Sequence, residues 1–346
     1  MGRLTRVAKP ALSTLSILGG VALLGGLWHA DDYRLRRRSI LRPHPDGQSG
    51  NSLRILHISD PHLLARQEKR RKFIRELAHT RPDFVVVTGD LISEDAAIDA
   101  LLADLEPLLE IPGAFVFGSN DYYAPRPANP FRYLWRHTGG GPKPDKERDE
   151  EGLLIGPNRL DTKRLRRGLT SKGWLDLNNR RGRLTVRGWN IELVGVDDPH
   201  ILRDQMPDPV NDAASQDSAS TLRIALAHAP YTRVLDAFIA DGADVIFCGH
   251  THGGQVNLPK YGALVTNCDL DKRFANGMFR WPVRETTSDD EKLPIKTDGA
   301  IIDWSAYEPT EKSAIVQLSA GLGNSPYTPV RTFCPPEAIQ IDILPL

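Results

Sequence analysis

Seven side chains able to hold a metal ion recur at one kind of place in this sequence, just after a short apolar run. They are Asp60, His62, Asp90, Asn120, His228, His250 and His252. The densest instance is Ala243–Val256, ADVIFCGHTHGGQV, where Val245–Cys248 ends on Gly249 and two histidines follow one residue apart. Imidazoles in His-x-His spacing on extended chain point to the same side, as metal ligands must. The flanking glycines let the loop turn tightly. The pattern repeats elsewhere. Leu53–Ile58 runs into Ser59-Asp60-Pro61-His62, Asp83–Thr88 into Gly89-Asp90, Ala114–Phe117 into Gly118-Ser119-Asn120-Asp121, and Leu222–Ala227 into His228-Ala229-Pro230. A single Asp after a strand is commonly the cap of the next helix. Three such endings in a row, joined by histidines, are not explained as caps.

Mixed imidazole and carboxylate donors suit Zn, Fe or Mn and poorly suit Ca or Mg alone. Seven donors are too many for one such ion and enough for two. Two divalent ions roughly 3.5–4 Å apart hold the attacking and leaving oxygens of an in-line phosphoester displacement. A carboxylate shared between them offsets their repulsion. No competing motif occurs in the chain: there is no G-x-S-x-G, no G-x-x-x-x-G-K and no G-x-G-x-x-G after a strand.

The elements that must position these residues follow from periodicity. Gln67–Thr80 and Glu94–Glu110 carry apolar residues at helical spacing between the first three strands. Strand and helix therefore alternate, which predicts an α/β fold with an at least partly parallel sheet and a site beyond the strands' carboxyl ends. Further strands are expected at Leu184–Val186, Ile191–Val196, Tyr261–Thr266, Ile315–Ser319 and Ala338–Leu344, with a helix over Arg233–Asp241. Asp197-Asp198-Pro199-His200 follows one of them and reads as a turn with an Asp cap, lining of the site being the alternative. Pro125–Lys172, with its basic run Lys163–Arg167, reads as a surface insertion, and 282–312 as a second. Phe131, Tyr133, Leu134 and Trp135 suggest that part of the first insertion packs on the domain or a membrane surface. Tyr122 and Tyr123 read as packing.

The 346 residues are 40% hydrophobic and 25% charged with a formal net charge of +0, as in a folded globular protein with no nucleic-acid-binding patch. The three cysteines are widely spaced and form no disulfide framework, a single bridge being the alternative, so they leave the compartment undecided. At the N-terminus, Arg3, Arg6 and Lys9 precede an uncharged, mostly apolar run, Ala11–His29. Its length predicts an uncleaved membrane anchor. A count of flanking basic residues, including Arg34, Arg36, Arg37, Arg38 and Arg42, leans toward a cytoplasmic domain. Domain expectations are a membrane anchor or, alternatively, a signal segment over 1–30, a linker over 31–52 and one domain from 53 to 346.

The ordered series Asp60-x-His62, Gly89-Asp90, Gly118-Ser119-Asn120-Asp121, His228 and Gly249-His250-x-His252 resembles the calcineurin-like metallophosphoesterases. The extended Gly-His-Thr-His-Gly-Gly-Gln-Val of 249–256, with His228-Ala-Pro and the late Gly321-Leu-Gly, is similar to their bacterial membrane- or wall-associated branch. The resemblance implies a metallophosphoesterase-type domain over 53–346, a four-layer α/β/β/α sandwich and two divalent ions, Mn, Fe or Zn. Asp60, His62 and His252 would hold the first ion, Asp90 would bridge, and Asn120, His228 and His250 would hold the second. It implies hydrolysis of a phosphoester substrate by a metal-bridging hydroxide, with a phosphodiester or pyrophosphate-type bond preferred. The alternatives are a phosphomonoesterase and a metal-binding module without turnover. One motif departs from the family, which usually reads Gly-Asn-His. Either Ser119 and Asn120 take those places, or a one-residue shift makes Asn120 the ligand and Asp121 the catalytic group in place of the histidine. The shift is preferred because an amide oxygen is a better hard ligand than a serine hydroxyl. Proton delivery by water or by His200 is the further alternative.

Overall fold

Four consecutive strand residues show how the layers are divided. Phe84 and Val86 pack into one apolar cluster and Val85 and Val87 into another, so both faces of their strand are buried. That is why DFVVVT is a continuous apolar run rather than an alternating one. The computed structural model describes residues 25–42, 51–126, 147–150, 152–153, 155–156, 158–209, 221–282, 301–303, 313–324, 327 and 329–345.

In chain order the strands are β1 Arg34–Arg42, β2 Leu53–Ile58, β3 Phe84–Thr88, β4 Gly113–Val116, β5 Leu175–Asp176, β6 Arg180–Val186, β7 Trp189–Gly195 and β8 Thr221–Leu226. They continue as β9 Val245–Cys248, β10 Asn257–Leu258, β11 Gly262–Ala263, β12 Gly277–Trp281, β13 Ile301–Asp303, β14 Ala314–Leu318 and β15 Glu337–Pro345. One sheet runs β13-β1-β15-β2-β3-β4-β5, the other β12-β14-β9-β8-β7-β6, and β10-β11 is a small hairpin. The α-helices are α1 Glu68–Glu76, α2 Ala97–Leu109, α3 Ser119–Tyr122, α4 Thr162–Thr170 and α5 Thr232–Ala240.

The two sheets face each other across a core that includes Ile55, Phe84 and Val116 from one and Trp189, Ile224 and Phe247 from the other. Ile74, Leu101, Leu105, Leu165 and Leu169 of α1, α2 and α4 cover the outer face of the first sheet. Val234, Leu235 and Phe238 of α5 cover the outer face of the second. The result is the expected α/β/β/α sandwich. Strands β2, β3 and β4 are mutually parallel, as are β7, β8 and β9. Every candidate ligand follows one of these strands, so parallel pairing brings all of them to the same edge.

Several expectations need correction. The membrane-spanning reading of Ala11–His29, with its cytoplasmic orientation, is overturned, because among the described residues no helix is long and apolar enough to cross a membrane. Residues 11–24 lie outside the described residues. The remainder of that stretch is a short helical turn folded onto the domain, where the Gly26 carbonyl accepts the N–H groups of Ala30 and Arg331, each at 3.1 Å. The stretch read as linker contains β1, which pairs with β15 along nine residues. The run read as the strand Tyr261–Thr266 contributes only Gly262–Ala263. Lys163–Arg167 is not an insertion loop but part of α4, whose Leu165 and Leu169 are fully buried. The aromatics at 131–135 and residues 283–300 and 304–312 of the second insertion lie outside the described residues.

Candidate metal centre

Three of the five strands, β2, β3 and β9, turn sharply where they deliver their polar groups. Asp60, His62, Asp90, His250 and His252 all have positive φ, between 43° and 73°. Non-glycine residues adopt that left-handed region at a cost of about 1–3 kcal/mol each, and such strain gathers at functional sites. Two glycines make the convergence possible. A Cβ on Gly118 would overlap Asp90 Oδ1, and one on Gly249 would overlap Ser59 Oγ.

Two groups of donor atoms result, Asp60–His62–His252 and Asp60–Asp90–His228, each with its atoms within 4.8 Å of one another. Asp60 belongs to both. Asp90 Oδ2 lies between them, 3.3 Å from His62 Nε2 and 3.5 Å from His228 Nε2. His250 Nδ1 adds a further donor 3.3 Å from His228 Nε2. Asn120 donates to Asp90 twice, from its backbone N and from Nδ2, both at 2.7 Å. The sandwich thus gathers all seven candidate ligands.

Neighbouring groups fix which imidazole nitrogen faces inward. His228 Nδ1 is 2.7 Å from the Thr88 carbonyl and His250 Nε2 is 3.2 Å from the Asn267 carbonyl. A carbonyl only accepts, so these nitrogens carry the hydrogens. In the neutral rings His228 Nε2 and His250 Nδ1 would therefore present lone pairs, the arrangement in which histidine ligates a metal. Burial drives His250 and His252 well below the usual histidine pKa, and His62 down to about 4, with nearby positive groups adding to the effect. Burial also opposes a charge on His228, but Asp90, Asp60 and Asp198 outweigh it and raise its pKa well above the ordinary value. Asp60 is pushed up to about 6 by burial and by Asp90, against the pull of His228. Burial works against the charge on Asp90 too, yet His228 and His62 hold its pKa well below the carboxylate range. A buried set of two carboxylates and four imidazoles balances its charges poorly by itself, and divalent cations would complete it.

Asp121 is placed differently from the expectation for a group at the phosphate. It is fully buried, and its carboxylate accepts the N–H groups of Leu91, Asp90 and Gly118 at 2.7, 2.8 and 2.9 Å. Those contacts tie the β3 and β4 loops together. Asp197 and Asp198 behave as the capping turn expected of them. Asp198 Oδ1 accepts the N–H of His200 at 2.8 Å, and Asp197 accepts from Tyr122 Oη and Arg203 Nε, each at 2.8 Å.

Sequence reasoning misses two supporting groups. His57 Nε2 lies 2.8 Å from Thr88 Oγ1, which donates to Ser59 Oγ at 2.7 Å, and Ser59 in turn donates to Asp60. The signal is a histidine on the inward period of β2 after Leu53 and Ile55. Arg331 is fully buried and donates to the carbonyls of Ala320, Gly321, Gly323 and Cys334. Its Nη2 stands 3.4 Å from His252 Nδ1. Nothing local in the sequence marks it.

The sequence model of calcineurin-like phosphoesterases matches residues 53–254. The chain is similar to the uncharacterized metallophosphoesterase YkoQ of Bacillus subtilis, 26% identical over 60% of this chain and 64% of that one. It is also similar to the phosphodiesterase YaeI of Escherichia coli, 27% identical over 57% of this chain and 58% of that one. These matches span less than two thirds of each relative's length. Among solved structures, TT1561 of Thermus thermophilus matches with a TM-score of 0.34 at 14% identity, covering 66% of this chain and 93% of that one.

Proposed function

The chain belongs to the calcineurin-like phosphoesterase family, and from that premise we propose that it is a dinuclear hydrolase of phosphodiester or pyrophosphate-type bonds. The observation that carries the dinuclear reading is Asp90 Oδ2, set between His62 Nε2 and His228 Nε2 where a shared carboxylate would be. When bound, two divalent ions supply charge to neutralise the phosphoryl oxygens and activate a water at neutral pH. Mn, Fe and Zn all suit this donor set.

The chain's own residues position the reaction. Asp60, His62 and His252 form one ligand group, and His228, His250 and Asn120 the other. The Asn120 contacts with Asp90 favour the shifted register, with Ser119 outside the ligand set. Asp121 is a positioning residue, since all its contacts described above go to loop amides. Asp121, tied to loop amides, then offers no proton to a departing oxygen. A bond whose leaving group is intrinsically good, or held by another side chain, fits such a site better than an alkyl monoester. The phosphodiesterase named among the relatives is consistent with this preference.

The test is hydrolysis of aryl phosphodiesters and aryl phosphates by the purified chain with added Mn. Faster cleavage of the diester is expected. Exclusive cleavage of monoesters would replace this reading with a phosphomonoesterase, and metal binding without turnover would replace it with a binding module.

A further inference from the structure

Resting on the reading above, we propose that His200 is a further catalytic residue, whose Nε2–H donates to an oxygen of the phosphoester bound beside His250. Its ring stands against that of His250 with centroids 4.5 Å apart. His250 is buried, whereas His200 is half-buried, so it borders the ligand cluster on a side that solvent reaches. Its backbone is fixed. The turn Pro199–Ile201 is capped by Asp198 through the His200 N–H, and Asp197 anchors the turn to Arg203 and Tyr122.

The side chain is oriented too. His200 Nδ1 lies 3.1 Å from Tyr231 Oη. A phenol that donates there leaves the neutral imidazole with its hydrogen on Nε2. Such a ring is a hydrogen-bond donor without gaining a charge, and a fixed donor aimed at a phosphoryl oxygen stabilises charge there at no reorganisation cost. The role it fills is specific. The family's usual histidine is missing from the β4 loop in either register, Asn120 or Asp121 standing in its place, and the Asp121 carboxylate accepts three loop amides. A histidine arriving from the β7 loop supplies the imidazole that the β4 loop lacks. Tyr231 is then a positioning residue.

The experiment uses the full chain loaded with Mn. His200→Ala should bind Mn like wild type, bind inorganic phosphate about tenfold more weakly by calorimetry, and cleave an aryl diester on the order of 100-fold more slowly. His200→Gln, which keeps an N–H donor, should recover part of both losses. Tyr231→Phe, read in the metal-free protein by ¹⁵N imidazole shifts, should lose the Nε2–H preference at His200 that wild type shows. Unchanged phosphate affinity in His200→Ala would overturn the proposal, as would loss of Mn binding in parallel with turnover. If wild type cleaves no ester at all, the hydrolase reading fails, while phosphate affinity still decides the place of His200. Circular dichroism checks the fold of each variant, and His200→Gln carries the decision if His200→Ala is unfolded.

Discussion

His62 Nε2 and His252 Nε2 face each other at 3.2 Å although 190 residues separate them in the chain. Burial keeps both rings neutral near pH 7. Asp60 Oδ1 lies 4.0 Å from the first nitrogen and 3.9 Å from the second. A cation among these atoms binds the folded state alone, so it should stabilise the fold. At 100-fold excess over Kd such binding is worth about 2.7 kcal/mol, which raises Tm by on the order of 5 °C. Calorimetric scans with Mn and with chelator should show that shift in wild type and a smaller one in His252→Ala. Identical scans for wild type would remove the metal from the account.

The loop after β4 separates two registers. Asn120→Ala should lose turnover that excess Mn partly restores, and Ser119→Ala should be nearly silent. Asp121→Ala leaves three buried amides without their acceptor, at about 1–3 kcal/mol for each unsatisfied group. It should therefore lower stability by several kcal/mol and weaken the Asp90 site, while Asp121→Asn is milder. Metal titrations and urea unfolding of the four variants measure this. A metal-sensitive Ser119→Ala, with Asn120→Ala slowing turnover while metal is retained, would restore the ungapped register.

His57 gives the fold a pH dependence with a definite sign. Burial lowers its pKa from 6.5 to about 3, so below pH 6.5 the unfolded chain binds a proton that the folded chain refuses. Its contribution is a loss of stability as pH falls from 6.5 toward 3, of up to about 1.4 kcal/mol per pH unit. His57→Leu should flatten that slope, and Thr88 would still donate to Ser59. Urea unfolding of the metal-free protein between about pH 7 and about pH 4.5, a window on the acid side of the ordinary histidine pKa, compares the two. Equal slopes would mean that His57 is protonated in the folded state.

Arg331 spans the loops around His252. Arg331→Met should cost about 3 kcal/mol or more, because the carbonyls of Ala320, Gly321 and Gly323 lose a charged donor in a buried place. Metal affinity at the His252 side should fall with it. Arg331→Lys should rescue little, since one ammonium cannot reproduce a planar fork of donors. Unfolding midpoints and Mn titration test both statements. Wild-type values for Arg331→Met would show that these loops hold their shape without it.

The sandwich and the convergence of its candidate ligands are legible in the sequence because apolar strand runs and their polar endings are local signals. β2 and β9 begin and end where their composition predicts. β1 is not legible: RLRRRSILR reads as a basic flank until Glu337 pairs with Arg36 and Asp244 with Arg42. Those partners lie 301 and 202 residues away in sequence. The role of Asp121 is hidden for the same kind of reason. Its position in a motif suggests chemistry, while the amides of Asp90 and Leu91, 31 and 30 residues upstream, determine what its carboxylate does. Arg331 is visible only once the chain has closed around it.

A two-ion site bridged at Asp90 is most directly tested by Mn stoichiometry measured alongside turnover in wild type and Asp90→Asn. Two ions per chain and ester hydrolysis are expected in wild type. In Asp90→Asn the circular dichroism spectrum should be unchanged, with about one ion or fewer bound and no detectable turnover. Two ions with wild-type turnover in Asp90→Asn would contradict the bridge.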